Sequence, residues 1–410
     1  MRIGSSAGDN LEQNDVFRKI LHEGFPDEII EDVVLLNKEP VTKKGENYLS
    51  LLTRLTFKYV CSPSGGDRHE KVQKILNVIL KEEPDSDSAT LETIHRMDIF
   101  NVEQQLLQDI VPKVEGLIDR RLAAKVYHCS TEPRIIAMED LSILGFKNTN
   151  RKVGLSEDEV YMILENLAEF HAGTIRLAEQ DPGCLTRFSI GLLNMTPTFY
   201  KMIEDTMRNV ARQIRTWSDP KFLPLSEKLE NMSEVAVARL REVYKLTDDE
   251  IGVLNHGDLW CNNIMFQYDD NRKLENLRFV DYQFSIWSSP AIDITYFLSC
   301  APELKIKGTQ DDLFLERYLT RLSSTMKRIG CTSEPPTMEQ LKKSLHKRQI
   351  LSLITGIVFF AIMIADDGDI TDLEDILHKE THDADTLKNP RVKAAVEKML
   401  PIWNDRGYLD

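Results

Sequence analysis

The apolar positions of this chain change period from one region to the next, and those changes lay out its elements. Val16, Ile20 and Leu21 recur at helical spacing, and Ile29, Ile30 and residues 33–36 then form a short apolar run, which predicts a helix leading into a first strand. Leu55, Phe57 and Tyr59 alternate with Arg54, Thr56 and Lys58, the period of a half-buried strand. A loop tip at residues 63–67 separates that strand from another at 72–81, so residues 41–81 read as a meander. Helical periodicity follows through Ile99, Phe100, Val102, Leu106, Leu107 and Ile110, and two more strands are predicted at 123–127 and 134–138. Ser156 and Glu159 then form a capping box ahead of Val160, Ile163, Leu164, Leu167 and Phe170, opening a long helix. Further helices are expected near 199–217, 225–244, 310–329, 337–366 and 389–400, with the acidic stretch 366–380 as a solvated linker. The sum is an α+β protein of two lobes: residues 1–140 an antiparallel sheet plus helix, residues 141–410 larger and mostly helical.

The chemistry-bearing residues gather between two helical stretches. Residues 256–263 read H-G-D-L-W-C-N-N, placing Asn263 five positions after Asp258. A short apolar run at 264–266, a polar turn at 269–271 and a second apolar run at 277–280 lead to Asp281, 18 residues after Asn263. This is loop, strand, turn and strand, with acidic and amide side chains at the strand ends. Phosphoryl transfer from ATP needs this inventory. A carboxylate, here Asp258, accepts the acceptor hydroxyl's proton, while an amide and a second carboxylate, here Asn263 and Asp281, hold Mg²⁺ against the phosphates. Protein kinases arrange the same groups as H-R-D-x-x-x-x-N and D-F-G; this chain has H-G-D-x-x-x-x-N and D-Y-Q.

Two features of the meander point to nucleotide. A turn at 45–50 can fold backbone amides over phosphates at Gly45, although it lacks G-x-G-x-x-G. Lys81 closes the apolar run Val78, Ile79, Leu80, where a lysine can reach the phosphates and be fixed by an acid on the next helix. Glu103 is the chosen acid and Glu92 its rival. His171 lies near the apolar stripe of the long helix and reads as a packed core histidine.

Composition narrows the partners. A net charge of −15 over 410 residues disfavours nucleic acid and anionic membranes. Six scattered cysteines without C-x-x-C or zinc spacing read as reduced thiols, and Cys261 has no evident base that would make it a nucleophile. Residues 1–10 are polar, and the longest apolar run, 350–365, is interrupted and short of a membrane span. A cytoplasmic protein is expected, with no opinion on its oligomeric state.

The motifs H-G-D-L-W-x-N-N-I-M-F, V-D-Y-Q-F-S and S-P-A-I-D-I-T-Y-F-L resemble the ecdysteroid kinase-like family, a group related to choline kinases and aminoglycoside phosphotransferases, from about residue 43 to about residue 364. The resemblance implies a bilobal protein-kinase-like fold. It implies nucleotide contacts from Gly45, Asn47 and Ser50 in G-E-N-Y-L-S, and from Glu139 and Leu141 in the hinge M-E-D-L. It also supports Glu103, through F-x-x-E, and makes Asp293 a buried anchor for the catalytic loop. The activity implied is ATP- and Mg²⁺-dependent phosphorylation of a small-molecule hydroxyl, an ecdysteroid first. Choline, ethanolamine or an aminoglycoside are the alternative acceptors, and an inactive kinase-like binding protein is the reading of another class. The absence of A-P-E and of an activation loop argues against a protein substrate.

Overall fold

The computed structural model describes residues 9–41, 49–64, 71–366, 368–369, 373–380 and 385–410. The chain divides into two compact units, residues 1–91 with 123–147, and residues 92–122 with 148–410.

The first unit holds helix α1 (Asp9–Gly24) and strands β1 (Glu28–Pro40), β2 (Leu51–Pro63), β3 (Val72–Glu82), β4 (Val126–Thr131) and β5 (Arg134–Glu139). They form one antiparallel sheet in the order β1-β2-β3-β5-β4. The period-two pattern of β2 buries Leu55, Phe57, Tyr59 and Cys61 on one face, where Phe57 lies between Leu35 of β1 and Leu76 of β3. Phe17 and Ile20 of α1 cover that face, with the Phe17 and Phe57 rings 4.8 Å apart. The register of β3 sets Leu80 beside Ala137 and Lys81 beside Ile136 of β5.

Helix α2 (Ser88–Met97) precedes α3 (Ile99–Gln105) and α4 (Val111–Ile118), which are joined by a π-helical turn, Leu106–Ile110. Residues 92–122, expected with the sheet, group instead with the helical unit. The physical reason is packing: α3 lies against Tyr282–Phe284 and α4 against α5 (Glu157–Gln180). The apolar stripe of residues 99–110 announces a helix, but not which core receives it.

The rest of the second unit comprises α6 (Pro197–Ile214), α7 (Phe222–Val243), α8 (Ala291–Cys300), α9 (Asp311–Ile329), α10 (Met338–Lys347), α11 (Gln349–Leu353), α12 (Phe360–Met363), α13 (Leu373–His378) and α14 (Pro390–Asp405). Four short strands complete it: β6 (Val253–Asn255) pairs with β9 (Ile286–Ser288), and β7 (Ile264–Tyr268) with β8 (Leu274–Phe279). An antiparallel sheet with its helix, followed in the chain by a larger, mostly helical unit, is an α+β architecture, the class expected from the sequence.

Two expectations need correction. The helix expected over 337–366 is broken at Arg348, and its two parts bend by 68°. The buried Arg348 guanidinium reaches Glu250, Lys245 O and Ser344 O, and its backbone leaves the helical region (φ −108°, ψ 17°). The acidic stretch 366–380 is not simply a linker, because α13 buries Ile376 and Leu377, and Leu377 O accepts a bond of 2.5 Å from the Thr196 hydroxyl. Two apolar residues among so many carboxylates give too weak a periodicity to announce a helix. Among the described residues no single helix is long and apolar enough to cross a membrane.

Candidate active site

The site begins where the chain leaves β6. Gly257 turns it with φ +85°, and a Cβ there would lie 2.0 Å from Phe284 O, so only glycine passes. Asp293, wholly buried in the first turn of α8, accepts the N–H of His256 at 2.7 Å and of Gly257 at 2.8 Å. Its own N–H goes to Asn255 Oδ1 at 3.2 Å, which closes the circuit between strand and helix. This is the anchoring role the resemblance implies for Asp293. His171 of α5, wholly buried, lies 3.2 Å from Asp293 Oδ2 and 2.8 Å from the Tyr318 hydroxyl, a core histidine with both ring nitrogens engaged. The His256 ring sits 3.0 Å from Val280 O and so ties the loop to the segment carrying Asp281. Cys261 is buried, its thiol 3.7 Å from Ala301 O, in a packing position.

Both carboxylate oxygens of Asp258 are engaged. The Tyr296 hydroxyl donates to Oδ1 at 2.5 Å, and Asn263 Nδ2 donates to Oδ2 at 2.9 Å and to the Asp258 carbonyl at 2.8 Å. The amide of Asn263 therefore spends its N–H groups on Asp258, and its Oδ1 takes no part in either bond. The β7–β8 register sets Ile264 opposite Phe279, and Val280 N–H donates to Asn263 O at 3.0 Å. The next residue, Asp281, is left-handed (φ 68°, ψ 59°), a conformation costing a non-glycine residue roughly 1–3 kcal/mol and typical of functional turns. Gln283 Nε2 holds its Oδ2 at 3.3 Å. The hairpin thus delivers Asn263 and Asp281 at its open end, beside Asp258. Burial, and then the neighbouring Asp281 charge, push Asp258 up to about 6, against bonds from Tyr296, Asn263 and Trp260 that act to lower it.

These residues fit a hard, oxygen-seeking cation. Two half-buried carboxylates near one another and an amide oxygen suit Mg²⁺, which takes few protein ligands and completes its shell with water and phosphate. Among the described residues no three His, Cys, Asp or Glu side chains group as a metal site.

The remaining expected residues distribute as follows. Lys81 is buried on β3, Ser50 is buried just before β2, Glu139 ends β5, and Leu141 is buried in the turn that follows, all in the first unit. Gly45 and Asn47 lie outside the described residues. Glu103 is buried on α3, in the second unit. Beside Leu141, Asp140 accepts Arg54 Nε at 2.6 Å and the Ser142 N–H at 3.0 Å, which fixes that turn from within its own unit. Sequence reasoning missed Tyr296. A tyrosine inside the apolar helix 294–298 reads as core, and only the fold shows that it lies less than one turn after Asp293 on α8 with its hydroxyl on Asp258.

The sequence matches the ecdysteroid kinase-like family over residues 44–331, and the chain belongs to that family. No curated protein matches it in sequence. Among solved structures it is similar to an ethanolamine kinase of Plasmodium vivax, at 13% identity over 99% of this chain and 98% of that one, with a TM-score of 0.39. It is also similar to the ADP-bound aminoglycoside phosphotransferase APH(2'')-Ib, at 12% identity over 97% and 99%, with a TM-score of 0.39. Similarity this low establishes no more than a likeness.

Proposed function

We propose that the protein transfers the γ-phosphoryl group of ATP to a hydroxyl of an apolar small molecule, an ecdysteroid being the first candidate. What supports this reading is the meeting of Asp258, Asn263 and Asp281 at the open end of one hairpin, in a chain of the ecdysteroid kinase-like family. Asp258 would accept the proton of the acceptor hydroxyl through Oδ1, the oxygen that Tyr296 now holds. Asn263 Oδ1 and the Asp281 carboxylate would hold Mg²⁺, which supplies charge to offset that building on the transferred phosphoryl oxygens. Lys81 would hold the α- and β-phosphates, with Glu103 as its acid. Residues 45–50 and the turn at Glu139 and Leu141 would meet the nucleotide's phosphates and base. In this reading the first lobe binds nucleotide and the second carries the catalytic loop, the metal and the acceptor pocket.

Tyr296 packs against Phe359 with ring centroids 6.2 Å apart, and Phe359 against Phe199 at 6.1 Å, so the contacts leading away from the carboxylate are aromatic. The test is release of ADP with Mg-ATP and a panel of ecdysteroids, choline, ethanolamine and aminoglycosides. Turnover confined to ecdysteroids supports the proposal in full. Turnover with a cationic alcohol instead overturns the acceptor class. Failure of every alcohol together with no Mg²⁺-dependent ATP binding would make the protein a kinase-like binding protein.

A further inference from the structure

Helix α8 works on two faces. From one, Asp293 accepts the N–H groups of His256 and Gly257, and Tyr296 donates to Asp258. On the other, Ile294, Thr295, Leu298 and Ser299 line a cleft with a volume of about 290 Å³. The first turn of α9, the end of α10, Ser352 of α11 and residues 399–408 supply its other walls, all in the helical unit. It shares no lining residue with Asp258, Asn263 or Asp281.

The lining sorts by depth. Ile294, Leu298, Leu315 and Met399 are buried and make an apolar floor. Asp312, Lys342 and His346 are exposed and stand at the mouth. The space has room for about ten waters, and water on such a floor finds few partners, so an apolar body that displaces it is favoured.

Charge then selects among apolar bodies. The two carboxylates and the two basic side chains of the lining cancel one another inside the cleft. Arg406 Nη1 meets Asp311 at 2.7 Å, and Lys342 Nζ meets Asp312 at 2.8 Å. Arg406 Nη2 donates to Gly308 O at 2.7 Å. A charged ligand would have to break one of these pairs or lie over the floor without a partner, and an unpaired charge out of water is costly. An uncharged ligand meets neither cost.

The hydroxyls of Ser299 and Ser352 are already bonded to each other at 2.8 Å, and Ser352 also accepts Trp403 Nε1. The Tyr408 hydroxyl and the ring nitrogens of His346 have no hydrogen-bond partner among the described residues, and their rings lie 5.9 Å apart. Each can both donate and accept. A few unengaged polar groups above an apolar floor are the make-up of a small-molecule site.

We infer that this cleft binds an uncharged molecule, a compact hydrocarbon body carrying a hydroxyl. The body rests on Ile294, Leu298, Leu315 and Met399, and the hydroxyl bonds Tyr408 and His346. The cleft stands apart from the proposed catalytic residues, so its test does not depend on activity.

The test is isothermal titration of the full chain with one bicyclic body in four forms: 2-naphthalenemethanol, naphthalene, 2-naphthoate and 2-naphthalenemethylammonium. Saturable one-to-one binding of the alcohol is expected, unchanged as salt is raised. Naphthalene should bind up to about ten-fold more weakly, the scale of one net hydrogen bond, and the two ions about ten-fold or more. Leu345→Trp, at a half-buried lining side chain, fills the cleft while keeping its charges and should abolish binding of the alcohol. Tyr408→Phe combined with His346→Phe keeps both rings, should leave naphthalene as it is in the native chain, and should bring the alcohol down to naphthalene's affinity. The inference is overturned if the alcohol does not saturate, if either ion or naphthalene binds as tightly, if binding survives Leu345→Trp, or if the double variant keeps its preference for the alcohol.

Discussion

Replacing Asp293 with alanine tests what holds the catalytic loop in shape. The carboxylate accepts two backbone N–H groups, from His256 and Gly257, at 2.7 and 2.8 Å, and all three residues are buried. A hydrogen bond to a charged group contributes about 1.5–3 kcal/mol, so the two together amount to roughly 3–6 kcal/mol. Because the two share one carboxylate, the sum is not additive, and a loss of about 4 kcal/mol is the central expectation. The perturbation also leaves His171 Nε2 without its acceptor in a wholly buried position. The assay is urea unfolding followed by tryptophan fluorescence, which reports the helical unit because Trp217, Trp260, Trp287 and Trp403 all lie in it. Asp293→Asn keeps one carbonyl acceptor and should lose roughly half as much. A loss below about 1 kcal/mol for the alanine variant would refute the reasoning. It would mean that the loop N–H groups find other partners and that Asp293 does not hold the turn.

Three other outcomes follow from the same kind of accounting. Burial works to raise Glu250, but bonds from Arg348, Ser344 and Thr247 prevail and hold it at about 2, so it contributes stability above its ordinary 4.5 that is lost as pH falls toward 2. Arg348→Met removes the 2.5 Å partner, should cost about 3–5 kcal/mol at neutral pH by leaving a buried carboxylate unpaired, and should raise the midpoint of acid unfolding; circular dichroism against pH checks both. Gly257→Ala forces a Cβ onto Phe284 O at a positive φ, so ADP release should disappear and the melting temperature fall, measurable by scanning calorimetry. Asp281→Asn removes one of two proposed metal ligands, so the Mg²⁺ concentration giving half-maximal ATP binding should rise about ten-fold or more, with Mg²⁺-free nucleotide binding unchanged.

The placing of Asn263 and Asp281, the proposed metal ligands, was legible in the sequence because their spacing is dictated by a hairpin. Residues 264–266 and 277–280 must pair to bring Asn263 beside Asp281, and two short apolar runs around a turn at 269–271 say so directly. The five strands of the first unit were legible for the same reason, since period-two burial along β2 is written in its side chains. Features that depend on what lies across the core were not. Tyr296 reaches Asp258 from a helix that looks uniformly apolar, and Arg348 breaks a long apolar run because its guanidinium belongs to Glu250, 98 residues away.

The central claim rests on the Asp258 carboxylate as the group that receives the acceptor's proton. The direct measurement is ADP release and Mg-ATP affinity, side by side, for the native chain and Asp258→Asn, with an ecdysteroid acceptor. The account predicts turnover lowered by about 10²–10⁴-fold with ATP affinity within a few-fold of native. Turnover within about ten-fold of native in the variant would contradict it.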